Sequence, residues 1–439
     1  MKILKNACFL IFLFVLFPGI STAKVYIDID SPMFNKFPIA ITDFQNLGPS
    51  SDKENLSKWF SDQLSRNLNL TNYFTLIDKK AFLEQPGKGG LSANSIIFSD
   101  WISIGAESLV KGSFSYNGKD LTSNFMLFDV VLGKLVIGKQ YVGKYQDRND
   151  MVLKFSNEIL LTLTGGKGVF DTKIAFVGKT GKKSYLSDIY SINFDSSNLT
   201  RLTSLQTLNL LPQWSPDGKQ IAFTSYWNGN PDLYLIDAKG GRSKRITAFK
   251  GMVLAGAWYP DGKSLLITSS KEGKQEIFKF DLNENRLKRL TNDAAISVSP
   301  SPSPNGKRIA FASDRSGSPQ IYTMNPDGSN VMRLTYEGNY NTSPRWSPKG
   351  DRIAFESLRN GTFQIMTIDV NGNNPVQLTS EGRNESPSWS PDGRYIVFTS
   401  NKRGKTKLCI INANGSNLRI LHEGMVQYLN PCWSPHLNF

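Results

Sequence analysis

The stretch 303–335, SPNGKRIAFASDRSGSPQIYTMNPDGSNVMRLT, decides how most of this chain folds. Asn305-Gly306 stands between two apolar runs, a residue pair suited to the positive φ values of a tight hairpin. The run KRIAFAS that follows alternates as a strand does, with Ile309 and Phe311 on one face and Ala310 on the other. A Gly-bearing loop, DRSGSP, leads to a third strand, QIYTMN; PDGSN turns the chain again, and VMRLT is a fourth. Four short antiparallel strands in about 44 residues make one blade of a β-propeller.

The unit repeats. A tryptophan opens WSPDGK-like turns at Trp214, Trp258, Trp346, Trp389 and Trp433, with Pro302 in the slot between the second and third. The steps are 44, 44, 44, 43 and 44 residues. The IAF-like strand starts at Ile174, Ile221, Leu265, Ile309, Ile353 and Ile396, and the RLT-like tail at Arg201, Arg245, Arg289, Arg333, Gln377 and Arg419. A fixed period of this length marks a repeat architecture. No segment of these units carries a 3.6-residue apolar stripe, which excludes a helical solenoid. The first unit, Asp171 to Thr203, has no tryptophan strand before it, and the chain finishes on one, NPCWSPHLNF. The two fragments add to one blade. The expected fold is therefore an α/β N-terminal domain followed by an all-β six-bladed β-propeller closed by the C-terminal strand around Pro431–Pro435, which removes open sheet edges.

The residues before the repeat have another texture. Lys2 and Lys5 precede an unbroken apolar run from Ala7 to Phe17, and Ser21-Thr22-Ala23 offers small residues for cleavage after Ala23. That is the pattern of a secretory signal peptide, and the run is too short to span a bilayer. Cys8 lies inside the apolar run, so it does not support a lipid-anchored mature cysteine. From Lys24 to about Gly165, PIAITDF and YFTLID read as strands, and ENLSKWFSDQLSRNL carries the helical stripe Leu56, Trp59, Phe60, Leu64, Leu68. Three strands turn at Asn117-Gly118 and Leu132-Gly133, and DRNDMVLKFSNEILLTLTG closes the region as a helix. The expected division is 1–23 signal peptide, 24–165 α/β domain and 166–439 propeller, joined by GGKGVFDTK.

Without Lys2 and Lys5 the chain holds 49 basic and 37 acidic residues. The positive residues are scattered, and export argues against nucleic acid as a partner. Two cysteines remain, Cys409 and Cys432, both in strand-like contexts and expected as buried free thiols. With those and only His422 and His436, no metal site is expected. A Gly-x-Ser-x-Gly elbow and a His-Glu-x-x-His motif are absent. GKLVIGKQ from Gly133 has phosphate-loop spacing, but Gln140 stands where Ser or Thr must reach magnesium. The turn residues Asp217, Asp261 and Asp392 lack the clustered oxygens of a calcium loop. No catalytic residue and no cofactor is expected.

The loops that enter each tryptophan strand gather at one end of the channel. Four of them are apolar, at Leu208 and Leu210, Met252 and Leu254, Ile296 and Val298, and Met425 and Leu429, whereas Tyr340 to Thr342 and Arg383 to Glu385 are polar. Loops face water by default, so an apolar ring there reads as a contact patch or as a plug folded into the channel. Lys271, Arg315, Arg359, Lys402 and Arg403 occupy the loops after the second strands on the same face and favour an acidic partner surface or polymer.

A signal peptide, an α/β domain and a six-bladed WSPDGK…IAF…LT propeller together resemble the TolB family, the periplasmic component of the Tol–Pal system of Gram-negative bacteria. The resemblance covers the whole mature chain and implies a monomeric periplasmic scaffold, not an enzyme. It supports outer-membrane integrity, protein import and envelope constriction in cell division. In the family a short N-terminal segment engages TolA. Here it is Lys24, Val25, Tyr26, Ile27, Asp28, Ile29 and Asp30, whose alternation also suits the first strand of its own domain. The lipoprotein Pal docks at the propeller mouth, which carries over to Leu208, Leu210, Met252, Leu254, Ile296, Val298, Asn341, Thr342, Glu385, Met425 and Leu429; other envelope proteins are further candidate partners. The family also links docking or release of the segment to Pal binding, and such a linkage is reciprocal. The alternative, from another class, is an exported propeller that binds or hydrolyses a small molecule, peptide or glycan in its channel.

Overall fold

The computed structural model describes residues 35–49, 51–52, 54–85, 89–179, 181 and 186–437. The expected signal peptide and the segment Lys24 to Asp30 lie outside the described residues. The first unit is a mixed sheet. Strands β1 (Phe37–Ile41), β2 (Gln45–Asn46) and β3 (Phe74–Leu76) surround helix α1 (Leu56–Thr71) in sequence. Helix α2 (Phe98–Ser103), strands β4 (Ser108–Tyr116), β5 (Asp120–Asp129) and β6 (Lys134–Lys144), and helix α3 (Arg148–Thr164) follow. The sheet order is β3-β1-β4-β5-β6, with β2 also on β4.

Helix α1 forms because Leu56, Phe60, Leu64 and Leu68 recur on one face, and all four are buried. The Asp52 carboxylate accepts from the Leu56 and Ser57 amides at 2.7 and 2.8 Å, satisfying donors the helix leaves orphaned. Helix α3 stops at Gly165, whose φ of 72° permits its amide to bond the Leu161 carbonyl at 3.0 Å. Both helices pack on the sheet face bearing Ile39, Ile41, Val110, Phe125 and Leu127. Trp101 and Ile96 cover the other face at Ala40, Leu109 and Phe128. The segment holding α2 was not assigned from sequence, because its apolar residues are too few to show a period.

Six four-stranded sheets follow as blades of a propeller. Blade one is the composite expected from sequence: its innermost strand, Gln427–Trp433, pairs antiparallel with Lys173–Lys179 and closes the ring. The recurring RLT tail has a structural cause. In blade four the Thr335 hydroxyl accepts from the Ile321 amide at 2.9 Å and donates to Gln320 Oε1 at 2.7 Å. Thr203, Thr247, Thr291 and Thr379 accept the matching amide in their own blades. In blades one to three the arginine of the tail pairs with the third-strand acid, as Arg201 does with Asp188 at 2.6 Å. The two- to four-residue outer strands of blades one to five are thereby held by their side chains.

The two units share one apolar core, in which Phe170, Phe194, Tyr395 and Trp433 meet beneath α1 and α3. The Phe194 ring lies 5.4 Å from both Phe170 and Tyr395. The Tyr395 hydroxyl donates to the Thr71 carbonyl at 3.4 Å. All these propeller residues stand at the end of blades one and six where the Trp-Ser-Pro turns lie. Among the described residues, the first unit makes its contacts at this end and not at the opposite end of the ring.

Candidate functional site

The six innermost strands line the channel in register. Their first inward positions, at that opposite end, are Leu210, Leu254, Val298, Thr342, Glu385 and Leu429, and all six are half-buried. Four apolar side chains on adjacent blades thus face a polar arc on blades five and six. Ile296 stands above this ring with 45% of its surface exposed, and Leu208, Met252 and Met425 are half-buried beside it. Leu254 and Val298 also line the channel cavity, so part of the expected contact ring turns inward. Met425 packs against Gly178 and Tyr190 of blade one, and Leu429 joins the core between blades one and two.

Asn341 does not belong to the accessible rim. It is fully buried, and its amide donates to Gln320 Oε1 at 2.8 Å and to the Glu337 carbonyl at 2.9 Å, locking blade five to blade four. A sequence reading sees a polar loop residue; only the fold reveals that Gln320 lies beneath it. Glu385 is held by Arg383 Nη2 at 2.7 Å. The basic residues of the same face are partly neutralised: Arg315 pairs with Asp293 at 2.9 Å, Lys402 pairs with Glu381, and Lys271 lies over the Phe249 ring at 5.5 Å. Three further exposed apolar side chains stand at this end, Trp227, Tyr336 and Val426.

Below the mouth every innermost strand carries a β-bulge, as the register shifts between Leu210 and Gln213, Val298 and Ser301, and Thr342 and Arg345 show. Leu211, Ser299, Ser343, Ser386 and Asn430 adopt positive φ at this point, and a proline follows each. A bulge leaves one amide without a ladder partner. In blades three and four a threonine of the preceding blade accepts it: Thr224 takes the Ala255 amide at 2.9 Å and Thr268 the Ser299 amide at 3.3 Å. Blade five departs from the pattern. Its equivalent residue is Glu356, which accepts from the Ser386 amide at 2.7 Å. Burial raises the Glu356 carboxyl to about 7, against the lowering effect of the Ser386 amide; Glu385 raises it further.

One layer deeper, the blades present Gln213, Ala257, Ser301, Arg345, Ser388 and Cys432. Arg345 reaches across the channel, and its Nη1 donates to the Gly256 carbonyl of blade three at 3.2 Å. Burial lowers its pKa. Cys432 is half-buried, not enclosed as expected, because the channel passes beside it; its Sγ stands 3.7 Å from Gln213 Oε1. Cys409 is buried, and burial pushes its thiol up to about 11. Both thiols are free. Among the described residues no three His, Cys, Asp or Glu side chains come together as metal ligands, and no helix is long and apolar enough to cross a membrane.

Comparison with known proteins agrees with this architecture. Residues 161–437 match the family model described as the TolB beta propeller domain, and residues 25–136 match the TolB amino-terminal domain. The Tol-Pal system protein TolB of Syntrophus aciditrophicus (strain SB) is 46% identical over 210 residues, 48% of this chain and 46% of that protein. The protein of the same description from Desulfosudis oleivorans is 38% identical over 229 residues, 52% of each chain. The chain thus spans about half the length of the curated relatives it matches. The crystal structure of TolB from Acinetobacter baumannii superposes with a TM-score of 0.81 at 28% identity, covering 91% of this chain and 97% of that one. With both domain models matched in order along one chain, the protein belongs to the TolB family.

Proposed function

We propose that this protein is a periplasmic scaffold of the Tol–Pal system, exported by a signal peptide cleaved after Ala23. The α/β domain of residues 24–165 and the propeller of 166–439 serve separate partners. The mouth ring of Leu208, Leu210, Met252, Leu254, Ile296, Val298, Thr342, Glu385, Met425 and Leu429 takes the Pal lipoprotein. The segment Lys24 to Asp30 engages TolA. The observation that carries this reading is the half-apolar ring at the end of the propeller opposite the N-terminal domain's contacts, since an apolar patch rimmed by polar groups suits a protein partner. The printed description of the relatives, Tol-Pal system proteins, supports the choice of partner.

The test is a pull-down from envelope extract with the mature chain as bait. Recovery of a peptidoglycan-associated lipoprotein, lost in Met252→Asp/Leu254→Asp, supports the reading; recovery unchanged by that variant removes the mouth from it. Deletion of residues 24–30 is expected to abolish TolA capture and leave the lipoprotein bound. Loss of both partners would contradict two separate sites.

A further inference from the structure

Blade five breaks the repeat twice, once at a residue that lines the channel and once at a buried residue of the strand behind it. Where the other innermost strands place Gln213, Ala257, Ser301, Ser388 and Cys432, it places Arg345. Where the other second strands place threonine, alanine or valine, it places Glu356. A repeat that needs only small or neutral groups at these layers has no packing reason for an arginine there. The cavity that Arg345 lines measures about 70 Å³. Ser299, Ser343, Ser386 and Asn430 line it too, so its polar wall is rich in hydrogen-bond donors.

The arginine is short of acceptors. A guanidinium carries five N–H donors in a planar fork, and its one hydrogen bond among the described residues is the 3.2 Å contact with the Gly256 carbonyl. No carboxylate among the described residues comes within ion-pair distance of it. The Glu356 carboxylate is near enough for the two charges to act on each other, but its hydrogen bonds come from the Ser386 amide at 2.7 Å and the Ser343 side chain. The Arg345 side chain is half-buried where it lines the channel, and a partly desolvated positive charge gains from a counter-charge beside it. The fork matches a carboxylate in shape, through two parallel N–H···O bonds. The cavity has room for one such group with a water.

We infer that the channel is a carboxylate-binding site, in which Arg345 pairs with one carboxylate entering from the mouth and the Asn430 amide, held only by a long 3.4 Å bond to the Ser386 hydroxyl, completes its hydrogen bonds. The group comes either from a small free acid or from an acidic side chain of the protein docked at the mouth. Only the second source rests on the function proposed above.

The probe is sodium formate, titrated into the mature chain against sodium chloride at constant ionic strength while the thermal midpoint is followed. Saturating formate is expected to raise the wild-type midpoint by about 2 °C through binding linkage. Formamide, alike in size but uncharged, is expected to have no effect. Arg345→Met loses the formate response, and Arg345→Lys retains it at several-fold higher formate. Equal responses to formate and formamide, no response in the wild type, or a full response in Arg345→Met would overturn the site; the formamide arm needs no variant to fold. To assign the source, affinity for the partner recovered at the mouth is measured with and without formate. Competition assigns the carboxylate to the partner, and independent binding assigns it to a small acid. Failure of the pull-down removes only this last comparison.

Discussion

Trp433 and Thr172 are 261 residues apart in sequence, yet the Trp433 indole Nε1 donates to the Thr172 hydroxyl at 2.8 Å. The Lys173 amide then donates to the Ser434 hydroxyl at 2.9 Å. These bonds fix the last strand of the chain on the first of the propeller, at the floor where the N-terminal domain rests. A ring built from six modest sheets depends on this one seam, because opening it exposes two sheet edges at once.

Removing the last ten residues is accordingly expected to lower the thermal midpoint of the whole propeller and not to fray one blade. Trp433→Ala, which empties a buried aromatic site, should cost about 3–5 kcal/mol. Calorimetry of the truncated chain checks this, and an unchanged midpoint would refute closure by the C-terminal strand.

The threonines of the tails in blades one, two, four and five are paired donors and acceptors, not surface residues. Thr335→Val leaves the Ile321 amide without its partner and Gln320 Oε1 with only the Asn341 amide, with an expected loss of about 1–3 kcal/mol. Thr335→Ser keeps the hydroxyl and should lose less. Urea midpoints of the two variants separate hydrogen bonding from methyl packing.

Glu356 makes stability depend on pH in a defined direction. Its carboxyl titrates near 4.5 when unfolded and is raised to about 7 in the fold. The folded state therefore holds the proton more tightly, so the contribution is present below pH 4.5 and is lost as pH rises through about 7. The loss amounts to about 3 kcal/mol. Glu356→Gln, which keeps an acceptor for the Ser386 amide, should be less sensitive than the wild type between pH 5 and 8. Parallel pH profiles of the two proteins would exclude the effect.

Turn glycines differ in what they can tolerate. Gly229 has φ of 87° and open space where a Cβ would stand, so Gly229→Ala should cost about 1 kcal/mol, the backbone penalty alone. Gly328, with φ of 94°, would drive a Cβ into the Leu290 carbonyl oxygen, which is backbone and cannot swing aside. Gly328→Ala should be clearly the less stable of the two by chemical denaturation.

The repeat made the propeller legible because turn pairs, strand alternation and a near-constant period are local properties that adjacent residues carry. Six IAF-like runs and an unpaired tryptophan strand at the end were enough to count the blades and place the seam. The mouth loops were also found, since they interrupt the pattern with apolar residues where water is expected. The burial of Asn341 is not legible for the opposite reason: it depends on Gln320, one blade away. Arg345 and Glu356 were visible as departures in their columns, but a column becomes a position only when the blades are set around an axis.

What the sequence determined alone is the kind of blade, its number and its order, because hairpin chemistry and alternation act over a few residues. What the tertiary structure decided is which side chains meet. Closure sets blades three and five, two places apart in the ring, around one channel, so that Arg345 reaches Gly256. The bulge in every innermost strand shifts its register, and with it the residue that faces the channel and not the neighbouring blade. Contacts of that kind belong to the ring as a whole, and no single repeat encodes them.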